Sequence, residues 1–523
     1  MSETTQERGC SFASIEPATI ATPESFSADE RLMVDTADQF SRKEVLPLAA
    51  RLDTQEPGLM PALVRKAGEL GFCGVDAPEA YGGLGLGKNI AAAILQRLSL
   101  DAGFSVTVGI TSGIAQFGPA VFGTPEQKER YLPRLTSGEW IGAYALSEPE
   151  SGSDALSLST RAEKRGDKWV LNGTKMWISN AQWADFFLTM AKVDGEHVTA
   201  FLVERAHPGV SVGREEHKLG LKGSSTARLV LDNAEIPAEN VLHEVGKGHQ
   251  VAFNALNLGR YKLGAMSLGP TREAIFQAAG YAQERNQFGQ AIGEFGLVRK
   301  KFADMAAWFF AAESCLARTG ALIDQAFAAS DGSIEGGKAA SEEFSVECSI
   351  CKVLATEAED RIVDEALQVY GGYGFTEEFP VARIYRDARV SRIYEGTNEI
   401  NRVFISSRFL RRVKEGRAEM PVGDGFVFEA LAKAMAVEPV HQTIVGAQSD
   451  LLMLAFAVQS ARLRAKQAGG ATQMAADRFT NWANVQAAEA LQVVTGQAVS
   501  IPAPLQNHTD ELATFVMAGR APV

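Results

Sequence analysis

The hydrophobic period of this chain changes twice, and that order of periods limits the folds open to it more than any single motif does. From about residue 28 to 140 apolar residues recur at helical spacing, as in Leu32, Val34, Ala37, Phe40 and Val45, and again in Leu63, Ala67, Leu70 and Phe72. From about 141 to 240 the pattern becomes that of strands and turns. After about 250 the helical period returns and holds to about 415. Helices, a strand block and helices again predict an α+β multidomain protein, and 523 residues are too many for one ordinary core. The expected boundaries are 28–140 for an N-terminal helical domain and 141–245 for a middle β-domain. A C-terminal helical bundle over 246–415 and an extra helical extension over 416–523 complete the chain.

Local signals refine this outline. Thr124-Pro125-Glu126 supplies a cap, a proline at the first helical position and an early acid. Asn172-Gly173 between Lys168–Leu171 and Lys175–Ile178 predicts a hairpin with the strongest short turn signal. Asp194-Gly195 between Phe186–Val193 and Val198–Val203 predicts a second, and Ala227–Leu231 a further strand. Val346, Ile350, Val353, Leu354 and Ala358 mark one long amphipathic helix, which Gly371-Gly372 stops. Beyond Pro421 two helices are expected, over 447–466 and 473–494, separated by Gly469-Gly470. There is no internal repeat.

Several function classes are disfavoured at once. A formal net charge of −13 argues against broad electrostatic binding to nucleic acid or to anionic lipid, though it leaves a local basic patch open. The longest clean apolar run, Leu451–Val458, falls short of the roughly 20 residues that span a bilayer. The polar N-terminal segment has neither the apolar core of a signal peptide nor the Arg-rich face of a transit peptide. Five cysteines make no disulfide framework, and Cys348 and Cys351 read as thiols on a packed helix; no metal site is expected. A reducing compartment follows, most simply a bacterial cytoplasm, with peripheral contact at the inner membrane left open.

The chemistry-bearing segments are individually ambiguous. Tyr144 to Asp154 places small residues and hydroxyls where a polar cofactor can approach the main chain, or forms an ordinary Ser/Gly loop. Trp177, in Lys175-Met176-Trp177-Ile178-Ser179-Asn180, is either a cofactor wall or core. Glu395, between an aromatic residue and a glycine, is either a solvated charge or a base aimed into a cleft. Gly82 to Gly87 lacks the G-x-G-x-x-G spacing and a preceding strand, which excludes a Rossmann or P-loop reading.

Together these segments resemble a known family. ALSEPESGSDALS at 145–157 and QVYGGYGFTEEFPVARIYRD at 368–387 resemble the two signature regions of the acyl-CoA dehydrogenases. YGGLGL at 81–86, KMWISN at 175–180, KLGLKGSSTARLVL at 218–231, RNQFGQAI at 285–292 and YEGTNEINR at 394–402 are similar to family segments in the same order. The likeness covers roughly residues 28–415. It implies a middle domain of antiparallel sheets or a barrel, a C-terminal four-helix bundle, FAD as cofactor and an acyl-CoA thioester as substrate. Tyr144, Leu146, Ser147, Gly152 and Ser153 would line the flavin on one side, and Trp177, Ile178 and Ser179 on another. Thr397 and Glu399 match positions near the flavin and its phosphates. Arg285, Gln287, Phe288, Gln368 and Gly372 match residues that reach the FAD of a neighbouring subunit, which implies a homodimer or alternatively a homotetramer.

The resemblance also makes Glu395 the general base for the substrate α-proton, with its main-chain N–H polarising the thioester oxygen. Some family members carry the base at the position of Gly259, and glycine cannot act. Ser153, Asn257, Arg260, Tyr394 and Gly396 would meet the substrate. The implied pathway is fatty-acid β-oxidation, with electron-transfer flavoprotein as acceptor. Most members end near residue 415, whereas this chain continues, as the very-long-chain type does; that analogy favours long acyl chains. Arg462, Arg464 and Lys466 beside Leu451–Val458 would suit a membrane interface, with buried packing the preferred reading of the run. The rival functions are an acyl-CoA oxidase, a scaffold protein on the same fold, and a DNA-associated relative, against which the acidic charge weighs.

Overall fold

The computed structural model describes residues 22–506 and 508–519. The N-terminal segment read above for targeting signals lies outside the described residues, as does Cys10. The chain resolves into two compact units: residues 30–266 with 324–342, and residues up to Asp29 with 267–323 and 343–523.

The first unit opens with helices α1 (Ala28–Phe40), α2 (Ala49–Asp53), α3 (Leu59–Glu69), α4 (Lys88–Leu98), α5 (Ala102–Ile110), α6 (Gln116–Phe122) and α7 (Pro125–Thr136). Asp101 caps α5 by accepting from Phe104 N–H at 2.8 Å. Thr124 and Gln127 form a reciprocal capping box on α7, as the Thr-Pro signal predicted. Of the apolar residues expected inside, Val34, Ala37, Phe40, Leu63 and Ala67 are buried, while Leu32 and Leu70 face solvent.

Eight strands follow in one sheet: β1 (Gly142–Ala145), β2 (Arg161–Arg165), β3 (Lys168–Ser179), β4 (Phe186–Val193), β5 (His197–Glu204), β6 (Val210–Glu215), β7 (Thr226–Pro237) and β8 (Val241–Leu242). The order is β6-β7-β3-β2-β4-β5-β8, with β1 pairing with β4. Most pairings are antiparallel, but β4 pairs in parallel with both β1 and β2, so the sheet is mixed. Strand β4 reads as a nearly unbroken apolar run because both of its faces are covered. Its period of two sends Phe187 and Ala191 into one core with Leu171, Phe201 and Leu229. Phe186, Leu188 and Met190 go to the other, against Phe122 and Tyr131 from the helices.

One hairpin stands as expected and one does not. Asp194 and Gly195, both at positive φ, turn β4 into β5. Asn172-Gly173 makes no turn: β3 runs through it, and the pairing with β7 shifts register between Leu171 and Gly173. The turn falls instead between β2 and β3, at Gly166-Asp167. The glycine at 173 serves close packing, since a Cβ there would lie 2.4 Å from Thr160 Oγ1.

The second unit is helical. It takes in the later part of α8 (Gly248–Glu284), most of α9 (Gly296–Ala328), α11 (Ser345–Tyr370), α12 (Pro380–Ala388) and α13 (Asn398–Lys414), with α10 (Ile334–Glu343) belonging almost wholly to the first unit. Gly371, at φ +60°, ends α11 where the double glycine predicted a stop. Cys348 and Cys351 are buried on α11 and form no disulfide. The extension forms α14 (Phe426–Met435), α15 (Gln442–Ala468), α16 (Ala471–Thr495) and α17 (Thr509–Met517). By length and composition α15 could cross a membrane, yet 72% of its most apolar window is buried inside the protein. Every residue of Leu451–Val458 is buried, which answers to the packing reading. Arg464 is buried too, bridging Glu313 at 2.9 Å and Glu24 at 2.8 Å.

Candidate active site

In the first unit the loop after β1 is latched onto β3. Met176 N–H donates to Ser147 O at 2.9 Å, which sets the predicted loop and the predicted tryptophan side by side. Beneath them lies a buried ion pair that the sequence did not announce: Lys175 Nζ to Glu148 Oε1 at 2.7 Å. Lys175 also donates to Leu146 O at 3.2 Å, and Glu148 Oε2 accepts from Ser159 N–H at 2.6 Å. Burial works against the Glu148 carboxylate, but pairing with Lys175 outweighs it and brings its pKa down to about 2.

Trp177 rides on this base with φ +61° and is 57% exposed, an indole turned outward from a strand. A large side chain in that backbone region is strained, and the exposure of so much apolar surface fits a site for a flat ligand. Gly152 and Ser153 are exposed, and no atom lies within 4 Å of where a Cβ on Gly152 would stand. Tyr144 is half-buried, its hydroxyl donating to Ala252 O at 3.4 Å. Ser179 is half-buried at the end of β3, whereas Leu146 and Ile178 point into the two cores and offer a ligand their main chain. Asn257 and Arg260 lie buried on α8, with Arg260 Nη1 3.5 Å from Asn257 Oδ1.

In the second unit Glu395 and Gly396 are consecutive residues at positive φ, +57° and +77°. Two buried side chains hold this reversal: Lys352 Nζ donates to Gly396 O at 3.0 Å, and Asn401 Nδ2 donates to the same oxygen at 2.7 Å. Lys352 also reaches Asn398 Oδ1 at 2.6 Å. Sequence reasoning missed Lys352; Asn398 and Asn401 lay in a recognised motif, but nothing marked them as clamps. Thr397 caps α13 by accepting from Ile400 N–H at 3.3 Å, and Glu399 is the exposed acid of the first turn. Tyr394 is half-buried before the reversal; burial, with Glu359 and Glu395 nearby, pushes its phenol well above the usual range.

Arg285, Gln287, Phe288, Gln368 and Gly372 are all exposed on this second unit. A shallow surface cavity is lined by Arg285, Gln287, Tyr370, Gly371, Gly372 and Tyr373, and the Arg285 guanidinium lies 5.6 Å from the Tyr373 ring. Gln368 lies on the last turn of α11, and Phe288 stands 96% exposed at φ +53°. The predicted residues thus form two sets, one on each unit. No group of His, Cys, Asp and Glu suited to a metal ion occurs among the described residues.

Family models match over three stretches: acyl-CoA dehydrogenase N-terminal domain at 27–139, middle domain at 143–234 and C-terminal domain at 246–410. A probable acyl-CoA dehydrogenase of Bacillus subtilis is 44% identical over 426 residues, spanning 80% of this chain and 71% of that protein. The rat very long-chain specific acyl-CoA dehydrogenase is 39% identical over 350 residues, 65% of this chain and 51% of that protein. A crystal structure of an acyl-CoA dehydrogenase complexed with FAD from Bacillus anthracis superimposes with a TM-score of 0.90 at 36% identity, covering 98% of this chain and 99% of that one. Butyryl-CoA dehydrogenase from Megasphaera elsdenii gives 0.68 at 33% identity, covering 74% of this chain and 99% of its own. The chain belongs to the acyl-CoA dehydrogenase family.

Proposed function

We propose that the protein removes the α-proton and β-hydride of an acyl-CoA thioester, with Glu395 as the base and FAD as cofactor, giving the trans-2-enoyl-CoA. The observation that carries this reading is the backbone at Glu395. A surface carboxylate gains nothing from a left-handed conformation, whereas here the strain is maintained by two buried clamps on the next carbonyl.

The residues present fit FAD. Trp177 exposes a flat apolar face beside the Ser147 main chain, and Gly152 leaves its backbone open to a polar ligand. When bound, the flavin supplies the acceptor for the β-hydride. Ser147, Gly152, Ser153, Trp177 and Ser179 would hold its ring system, with Thr397 and Glu399 at the start of α13 near its phosphates. Glu395 receives the α-proton on its carboxylate, and its main-chain N–H stabilises charge on the thioester oxygen. Asn257 and Arg260 bind the CoA end, and Tyr394 walls the reacting carbons.

Arg285, Gln287, Phe288, Gln368 and Gly372 are assigned to a neighbouring subunit's FAD, which makes the active form at least a homodimer. The exposure of Phe288, Leu297 and Phe375 on the same unit supports such an interface. Electron-transfer flavoprotein is the proposed acceptor. The extension carries the long-chain expectation only by analogy. The test is Glu395→Gln: the holoenzyme stays yellow and binds acyl-CoA, but its anaerobic flavin reduction slows by about 10²–10⁴-fold. Near-normal reduction would remove Glu395 from the role.

A further inference from the structure

We infer that Glu148 and Lys175 are positioning residues for the flavin: their buried pair sets the direction of the Leu146–Ser147 peptide, so that the Ser147 N–H is presented to the ring beside Trp177. This rests on the reading that places the flavin at this loop. Every group involved lies in the first unit. Lys175 is the last residue of β3 paired regularly with β7 before a bulge. It faces Leu229, and pairing resumes at Ile178 with Ala227, so Met176 and Trp177 together oppose Arg228. Residues two apart on a regular strand share a face. The bulge breaks that rule, leaving Lys175 fully buried and the Trp177 indole turned outward at φ +61°.

Glu148 ties three segments together. Its Oε1 accepts from Lys175 Nζ at 2.7 Å, from Thr160 N–H at 3.1 Å and from the Thr160 hydroxyl. Its Oε2 accepts from Ser159 N–H at 2.6 Å and from the Ser159 hydroxyl at 2.7 Å. Thr160 is fixed in turn by Lys192 N–H of β4, which donates to its carbonyl at 2.8 Å. The carboxylate is thus anchored to the sheet, and it holds the Lys175 ammonium where this also donates to Leu146 O at 3.2 Å. In a trans peptide the C=O and the next N–H point opposite ways, so drawing Leu146 O inward turns the Ser147 N–H outward. Met176 N–H holds only the following peptide, through Ser147 O at 2.9 Å. Among the described residues no other donor reaches Leu146 O, and no acceptor meets the Ser147 N–H.

A buried ion pair is a poor means of stabilising a fold, because apolar side chains of the same volume often serve as well or better. What it adds is direction, which apolar packing lacks. Here direction is applied to the one peptide that offers an unpaired main-chain donor next to the exposed indole. A flavin ring has two flat apolar faces and an edge of carbonyl oxygens and ring nitrogens. An indole face and an N–H set at a fixed angle to each other suit those two demands. Glu148 and Lys175 contribute no atom to the ring. They act through the Leu146–Ser147 peptide and through the start of the bulge that carries Trp177.

The experiment compares FAD release from the wild-type holoprotein and from a double variant, Lys175→Met with Glu148→Gln, which leaves no unpaired buried charge. The readings are the FAD Kd, from flavin fluorescence freed on dilution, and the visible circular dichroism of the flavin that stays bound. The double variant is expected to raise Kd by about tenfold or more, as loss of one directed hydrogen bond would, and to alter the dichroism. Leu171→Ala, a truncation in the core under β3, controls for lost stability and should leave both readings unchanged. A double variant that holds FAD as tightly as Leu171→Ala, with the wild-type dichroism, overturns the inference. If the double variant folds poorly, Glu148→Gln alone carries the test: Lys175 loses its ionic anchor, and unchanged Kd and dichroism overturn the inference. Gly152→Val fills the open space beside that glycine and tests the flavin site itself. If it weakens FAD binding while the double variant does not, the site stands and the positioning role falls; if neither weakens it, both fall.

Discussion

Glu359 offers a stability test whose sign and size follow from its surroundings. It sits on α11 with 3% exposure. Burial pushes its carboxyl from 4.5 up to about 8; the neighbouring hydroxyls of Ser391 and Ser267 oppose the rise, and Asp360 and Asp387 add to it. Tyr394 faces it as well. An acid whose pKa is higher in the folded state keeps its proton where the unfolded chain has released it. Its contribution is therefore fully present below 4.5 and is lost as pH rises through about 8. The slope is about 1.4 kcal/mol per pH unit, so the loss across that interval is on the order of 5 kcal/mol at most. Glu359→Gln keeps the shape and cannot titrate. Urea denaturation of both holoproteins at pH 5 and pH 8 lets other titrating groups cancel. The variant should gain on the wild type by several kcal/mol between those pH values. An equal difference at both would mean that Glu359 ionises freely in the folded protein and would refute the reasoning.

Other perturbations test the supports of the site. Lys175→Met leaves Glu148 buried without its cation and should destabilise the protein by about 3–5 kcal/mol, with part recovered in a double variant carrying Glu148→Gln; additive losses in denaturation would deny the coupling. Acid titration should show the same pair from the other side: the Glu148 contribution is complete above 4.5 and is lost as pH falls towards about 2, so Glu148→Gln should blunt the loss of stability in that range. Arg285→Gln should weaken FAD retention on dialysis without lowering the melting point of the FAD-free protein; unchanged retention would argue against its reaching a neighbouring cofactor.

The order of helical and strand blocks was legible because period depends only on which residues are apolar. Turn chemistry was less secure. Asp194-Gly195 and Asn172-Gly173 carry the same local signal, but only the first lies where two strands can fold back on each other. At Gly173 the glycine answers to Thr160, a neighbour brought in by the pairing of β2 with β3. A local rule cannot separate a glycine needed for positive φ from one needed for close approach. Likewise Leu32 and Leu70 fit the helical period yet face solvent, since period names a stripe and not its width.

The site divides along the same line. Glycines, a tryptophan and a glutamate in short motifs could be picked out because each marks a local backbone or surface demand. What supports them could not. Glu148 and Lys175 lie 27 residues apart, Lys352 and Gly396 lie 44 apart, and Arg464 meets Glu24 across 440. A chain of charged residues shows the charges but not which become neighbours, and a buried charge has a cost that only its neighbour decides. The Asp76 cluster takes this furthest. Lys88 is 12 residues from Asp76 and Lys262 is 186 away, so the cluster does not exist until the fold brings them together.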